Sequence, residues 1–167
     1  FLGWRLTDTT IVYDTSTGQW HERQSRDAYG NPVAWNIGAM TVLGGRVMAG
    51  HVSLPKLYWL DPDVMDDDGD ELIMRGRTPP LSAYPGRVEV NRLFLDMVPG
   101  VGLATGGTAD TDPVVTLRIS RDGETWGNSR PCALGVQGQT SARVFWNRLG
   151  THPAVPFEFT CSAAVAR

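Results

Sequence analysis

Short runs of alternating apolar and polar residues recur along the chain, separated by turns rich in Gly, Asp and Pro. The run "VVTLRIS" at residues 114–120 is β-branched and roughly alternating, which predicts a strand. No window carries the sustained apolar stripe of a helix. The best helical candidate, Val88 to Met97, fits an alternating strand equally well. The pattern therefore predicts an all-β fold.

Three hairpin-like segments set a period along the chain. "IVYDTSTGQWHER", "LYWLDPDVMDDDGDELIMR" and "TLRISRDGETWGNSR" place Trp20, Ile73 and Trp126 at intervals of 53 residues. Residues 39–50 and 93–107 each offer two short apolar strands around a Gly-rich turn, and "SARVFWNRLG" and "VPFEFT" add strands near the end. Four strands in about 50 residues is the size of a β-propeller blade.

This repeat predicts a single all-β region over residues 1–167, with approximate propeller-like blades at 1–50, 51–107 and 108–160. Three blades would form part of a larger ring or an open stack, because a closed propeller has at least about four. The alternative architecture is a β-sandwich of similar strand count.

The stretch "SRDGETW" resembles the Asp-box turn of sialidases and other β-propellers, S-x-D-x-G-x-x-W, with Gly and Trp each one residue early. Asp-Gly is a strong hairpin signal because Gly accepts positive φ and Asp bonds its own backbone. We expect both Trp20 and Trp126 to be mostly buried beneath hairpin turns. The predicted structural turn residues are Asp14, Gly18, Trp20, Ser120, Asp122, Gly123 and Trp126.

The Asp-box likeness raises an alternative function, a sialidase-like propeller that processes or binds glycans. Such an enzyme needs three arginines converging on a carboxylate, a Tyr nucleophile with a Glu partner, and an Asp acid. No spacing selects such a set, and three blades cannot close the site. The residue types are supplied by Arg5, Arg75, Arg87, Arg118, Arg143, Tyr13, Tyr58 and Tyr84.

The run "DDDGDE" raises the question of a metal site. Asp66, Asp68 and Asp70 alternate as calcium ligands do, but Glu71 stands where the loop needs Gly and Arg77 where it needs a bidentate Glu. A solvated turn is therefore favoured, and no cofactor or catalytic residue is predicted. The widely spaced His21, His51 and His152 suggest no metal or acid–base site either.

Charge and cysteine content reduce the number of protein classes to which the chain can belong. The net charge is −3, and fourteen Arg and one Lys are scattered among acids, which argues against a sequence-reading DNA binder. Cys132 and Cys161 form no disulfide framework and are expected to be reduced thiols. The chain starts at Phe1 and has no apolar run of membrane length, so we expect a fragment of a longer protein without membrane insertion.

Five segments in order are similar to the C-terminal part of tail-hub proteins of short-tailed phages, also called tail nozzle or packaged-DNA stabilisation proteins. The likeness runs from about Ile11 to Phe159, and members usually carry a fuller "S-R-D-G-G-x-T-W-G" than the turn here. The segments are "YDTSTGQWHER", "LYWLD", "IMRGRT", "DPVVTLRISRDGETWG" and "RVFWNRLG".

The resemblance implies a non-enzymatic virion protein, assembled in the bacterial cytoplasm, that retains packaged DNA and forms part of the ejection conduit. It implies a homo-oligomeric ring, most often hexameric, next to the head–tail adaptor and other tail proteins. DNA would be contacted only transiently and non-specifically. The acidic turns at residues 61–63 and 66–71 fit a conduit wall that does not grip DNA, and equally an outer rim.

Overall fold

The computed structural model describes residues 2–61, 64 and 66–162, and about half of the chain lies in β-strands. The prediction of an all-β fold is confirmed, and within the described residues helix is limited to one turn, α1 (Thr108–Thr111). Of the predicted acidic turn at 61–63, Pro62 and Asp63 lie outside the described residues. The chain divides into two compact units, Phe1–Asp70 and Glu71–Arg167.

The first sheet of the first unit is a four-stranded antiparallel meander. Its residues alternate across the sheet, so Val12 is fully buried on one face while Tyr13 lies on the other. On the buried face, the backbone N–H of Trp35 donates to Thr10 Oγ1 at 3.1 Å. The strands are β1 (Leu2–Arg5), β2 (Thr10–Asp14), β3 (Gln19–Arg26) and β4 (Pro32–Ala34).

The rest of the first unit forms a three-stranded antiparallel sheet and all of a small hairpin except its last residue, Glu71, which is the first residue of the second unit. Gly44 and Gly45, both with positive φ, close the turn between the first two strands of this sheet. The strands are β5 (Ile37–Leu43), β6 (Arg46–His51) and β7 (Leu57–Leu60), followed by the hairpin of β8 (Asp66–Asp67) and β9 (Asp70–Glu71).

The second unit is a β-sandwich built around one apolar core. One sheet has the order β10-β17-β13-β14, and β12 pairs with β15 while β11 pairs with β16. The strands are β10 (Met74–Arg77), β11 (Leu81–Ser82), β12 (Val88–Leu95), β13 (Val114–Ile119), β14 (Arg130–Ala133), β15 (Val144–His152), β16 (Ala154–Val155) and β17 (Phe157–Cys161).

Inward-facing residues of both layers meet in this core. Leu117 and Phe157 come from the four-stranded sheet, and Trp146 and Leu149 from β15. The indole of Trp146 is satisfied because its Nε1–H donates to the backbone oxygen of Arg130 at 2.9 Å. The second unit thus has the β-sandwich architecture that the sequence offered as its alternative.

The strand pairing does not follow the predicted propeller-like blades. β10 and β12 belong to the predicted blade 51–107, yet they pair with β17 and β15 of the predicted blade 108–160. β7 and β10, expected to form one hairpin, pair instead with β6 and β17. Turn chemistry indicates where strands end, whereas partners about 50 to 90 residues away in sequence leave no local signal.

The expected burial of the two hairpin tryptophans is wrong for Trp20, which is 61% exposed. It lies opposite Tyr13 on the face of the first sheet that faces away from Val12, so its ring contacts aromatic neighbours rather than a core. Trp126 is half-buried, although its neighbours in the turn are exposed.

Candidate functional site

A buried carboxylate gathers three arginines on the outer face of the four-stranded sheet. Glu158 is 2% exposed, and its Oε2 accepts a hydrogen bond from Arg77 Nε at 2.8 Å. Its Oε1 accepts one from Arg118 Nη1 at 3.2 Å, and Arg75 Nε lies 4.0 Å from Oε2. One negative charge thus faces three positive charges, and we call these four residues the arginine cluster.

Strand register assembles this cluster. Glu158 on β17 lies directly opposite Arg77 on β10 and directly opposite Arg118 on β13. Phe157 and Phe159 flank Glu158 and point to the other face, into the core, because successive side chains on a strand alternate. Arg75, two positions before Arg77, shares its face for the same reason.

The Asp-Gly turn is tied to the cluster through Trp126. The guanidinium of Arg77 lies 5.1 Å from the centre of the Trp126 ring, a cation–π geometry. Arg118 donates from Nε to the backbone oxygen of Gly127 at 3.3 Å and from Nη2 towards that of Trp126 at 3.5 Å. Trp126 therefore supports the arginines and does not fill the core.

The turn itself is held by one carboxylate. Asp122 Oδ1 accepts the N–H groups of Thr125 and Glu124 at 2.7 and 2.9 Å and the hydroxyl of Ser120 at 2.9 Å. Ser120 Oγ in turn accepts the N–H of Gly123 at 2.8 Å, and Gly123 has a φ of 85°. The hydrogen bond from the Thr125 N–H, with its neighbours, holds the pKa of Asp122 well below its usual range.

The β2–β3 turn uses the same device at Asp14. Its Oδ1 accepts the hydroxyl and the N–H of Ser16 at 2.6 and 2.8 Å, and its backbone oxygen accepts the N–H of Gly18 at 2.8 Å. Chiefly because the Ser16 hydroxyl donates to it, the pKa of Asp14 is lowered to about 2. Both predicted turns are thus closed by an Asp carboxylate that stabilises its own loop.

The acidic hairpin β8–β9 is stabilised by contacts within the protein. Asp68 Oδ2 lies 2.6 Å from Lys56 Nζ and accepts the Tyr58 hydroxyl at 3.0 Å. Asp66 Oδ1 accepts the N–H of Gly69 at 3.1 Å. Asp66 and Asp68 therefore stabilise the hairpin, and the described residues contain no group of three or more His, Cys, Asp or Glu placed to hold a metal ion.

The three histidines lie apart, each with a local partner. His21 Nε2 accepts from Arg23 Nε at 3.4 Å, and His51 Nδ1 accepts the N–H groups of residues 53 and 54. The ring of His152 is buried, with Nε2 2.9 Å from the backbone oxygen of Leu149.

Two further surfaces present aromatic rings to solvent. On the first sheet, the Trp20 ring lies 5.4 Å from that of Trp4 and 4.9 Å from that of Tyr13. On the outer face of β12 and β15, Arg92 lies over the rings of Phe94 and Phe145. Exposed aromatic and arginine side chains are typical of protein–protein interfaces.

The arginine cluster is built around a carboxylate of the chain itself. Of the arginines named from the sequence, Arg75 and Arg118 do meet, but the carboxylate that they meet is the chain's own Glu158. Arg5, Arg87 and Arg143 each donate to backbone oxygens elsewhere. No described helix has the length and apolar character that a membrane span requires.

Comparison with known families decides the affiliation. The family model described as "Bacteriophage P22 Gp10, beta-sandwich" matches residues 75–166, more than half of the 167 residues. The chain belongs to this family. A search of curated proteins finds no match.

Membership of the P22 Gp10 family fits the described architecture, because the matched range begins at Arg75 in β10 and includes every later strand of the sandwich. It confirms the resemblance to tail proteins of short-tailed phages and supports a structural component of the virion that associates with other tail proteins. The glycan-processing alternative gains no support.

Proposed function

We propose that the chain is part of a tail hub, or nozzle, of a short-tailed bacteriophage, where it helps to retain packaged DNA and forms part of the conduit for ejection. The observation that carries this proposal is the match of the P22 Gp10 β-sandwich family to residues 75–166. The role that we propose is structural and non-enzymatic, because the matching family is one of phage structural proteins.

The assembly that we propose is a homo-oligomeric ring of six copies, as the sequence resemblance implies, next to the head–tail adaptor. Exposed aromatic side chains, Trp4 and Trp20 on one sheet and Phe94 on the sandwich, support surfaces that other protein chains cover. Assembly takes place in the host cytoplasm, and the two thiols remain reduced: Cys132 and Cys161 are both free.

DNA would pass this protein without being gripped. The net charge of −3 and the pairing of Arg77 and Arg118 with Glu158 reduce the cationic surface available to phosphates. A titration with duplex DNA at about 0.15 M salt tests this point. Sub-micromolar affinity with a steep salt dependence would contradict it.

Experiments on assembled virions test the proposal as a whole. Particles assembled without this protein should package DNA and then lose it, whereas complemented particles should keep it, as measured by nuclease-protected DNA per particle. Electron microscopy of complete virions should place the chain around the tail axis. Density away from that axis, or full DNA retention without the protein, contradicts the proposal.

A further inference from the structure

The two units of the chain carry opposite net charges. Residues 1–70 contain five Lys and Arg against ten Asp and Glu, for a net charge of −5. Residues 71–167 contain ten Arg against eight Asp and Glu, for a net charge of +2. The total of −3 is therefore the sum of two unlike charges, and unlike charges on two surfaces favour their association.

The positive side has a defined docking edge at β10. This strand is the edge of the four-stranded sheet, and both Arg75 and Arg77 lie on its outward face. Their side chains are 50% and 55% exposed, and each directs only its Nε towards Glu158. Among the described residues, the terminal guanidinium nitrogens of Arg75 and Arg77 have no hydrogen-bond acceptor.

The arginines are also held in place before any partner arrives. Glu158 fixes Arg77 from below at 2.8 Å, and the Trp126 ring supports the same guanidinium from the side. A planar guanidinium held in this way presents two parallel N–H groups that match a carboxylate. Little side-chain entropy is then lost on binding.

The negative side has a matching projection in the β8–β9 hairpin. Asp68 and Gly69 form its tight turn, both with positive φ, and the contacts of Asp68 with Lys56 and Tyr58 hold that turn. The carboxylates of Asp66 and Asp70 are exposed at the two sides of the turn. Within the described residues Asp70 has no partner, and Asp66 accepts only the Gly69 N–H.

We propose that the Arg75–Arg77 edge of one copy binds the β8–β9 acidic hairpin of a second copy. The inference rests on the homo-oligomer proposed above and names the contact between its members. The contact joins two different surfaces head to tail, and such contacts close into rings or extend into filaments. A second copy is favoured over DNA because the −5 charge of the first unit repels phosphates while it attracts the arginine edge.

Charge reversal with complementary mixing tests the contact. The wild-type chain should sediment as two or more protomers at about 50 mM salt and dissociate at about 0.5 M salt, because exposed charge pairs are screened. The variants R75E/R77E and D66R/D70R should each sediment as one protomer. An equimolar mixture of the two should associate again, since the intact arginine edge of one variant meets the intact hairpin of the other and the two charge-reversed surfaces attract each other as well.

Matched controls separate this contact from misfolding and from other surfaces. The variant R121E/R130E reverses the same number of charges at exposed positions of the second unit and should associate like the wild type. Thermal melting of each variant shows whether it is folded, and recovery of the complex on mixing excludes a folding defect independently.

Three results overturn the inference. They are wild-type-like association of R75E/R77E, with or without a loss of duplex-DNA binding, no complex on mixing, and a wild type that stays monomeric at low salt. The first of these leaves the homo-oligomer intact and moves its contact elsewhere. The proposed tail function is tested separately by the location of the chain in virions.

Discussion

Arg77 donates from Nε to Oε2 of Glu158 at 2.8 Å, although the two residues are 81 positions apart in the chain. The bond joins β10, near the start of the sandwich, to β17 at its end. It also places a nearly inaccessible carboxylate where its charge is balanced only by arginines. The stability of the sandwich should therefore depend on this carboxylate.

Replacing Glu158 with Gln should destabilise the fold, because two charge-assisted hydrogen bonds are lost and a buried polar group keeps poorer partners. We expect a loss of about 1–3 kcal/mol in the free energy of unfolding, below the value for a fully buried ion pair because the arginines are half-exposed. Urea denaturation measures it. Glu89→Gln on the exposed face of β12 is the matched control, and equal midpoints for both variants would show that Glu158 is dispensable.

Acid should weaken the β2–β3 turn through Asp14. The pKa of this carboxyl falls from 3.8 to about 2 on folding, so its stabilisation is fully present above about pH 4 and is lost as the pH falls towards 2. The melting temperature of the wild type should therefore drop over this window, and that of Asp14→Asn should drop less. Asp96→Asn, which removes an equal charge outside a turn, should follow the wild type.

A methyl group at Gly123 should strain the Asp122 turn. Gly123 has a φ of 85°, which residues with a Cβ adopt only at a cost. Gly123→Ala should lower the free energy of unfolding by about 1 kcal/mol. Gly76→Ala provides the control because a Cβ there meets no atom within 4 Å. Identical urea midpoints for both variants would contradict the importance of the turn conformation.

Two phenylalanines of the sandwich should differ sharply in their effect on stability. Phe157 is 1% exposed in the core, whereas Phe94 is 61% exposed on the outer face of β12. Phe157→Ala should cost about 3–5 kcal/mol, and Phe94→Ala about 0.5 kcal/mol or less. Chemical denaturation of the two variants side by side checks this, and a large effect of Phe94→Ala would mean that its ring is covered.

Local chemistry made the turns predictable from the sequence. Asp122-Gly123 and the segment from Asp14 to Gly18 close as expected, because an Asp carboxylate bonds the backbone of its own loop and Gly accepts positive φ. The strands on either side followed from alternation. Those signals act over a few residues, so they are readable without knowledge of the rest of the fold.

Strand partners and surface exposure were not predictable in the same way. The triplet Phe157-Glu158-Phe159 indicates that Glu158 faces away from its neighbours, but only the register with β10 and β13 reveals the arginines around it. The predicted burial of Trp20 is wrong for a related reason. Alternation separates its face from that of Val12, but it does not say which of the two faces a core covers.

The pairing of β10 with β17 and of β12 with β15 also sets an order of events during synthesis. The described strands of the first unit pair with neighbours in sequence and can fold as they emerge. β10 must wait for a partner some 81 residues away, which takes roughly 4–16 s at typical translation rates. During that delay the apolar residues of β12 are uncovered, so the nascent sandwich is the stage at which this protein is most exposed to aggregation and to chaperones.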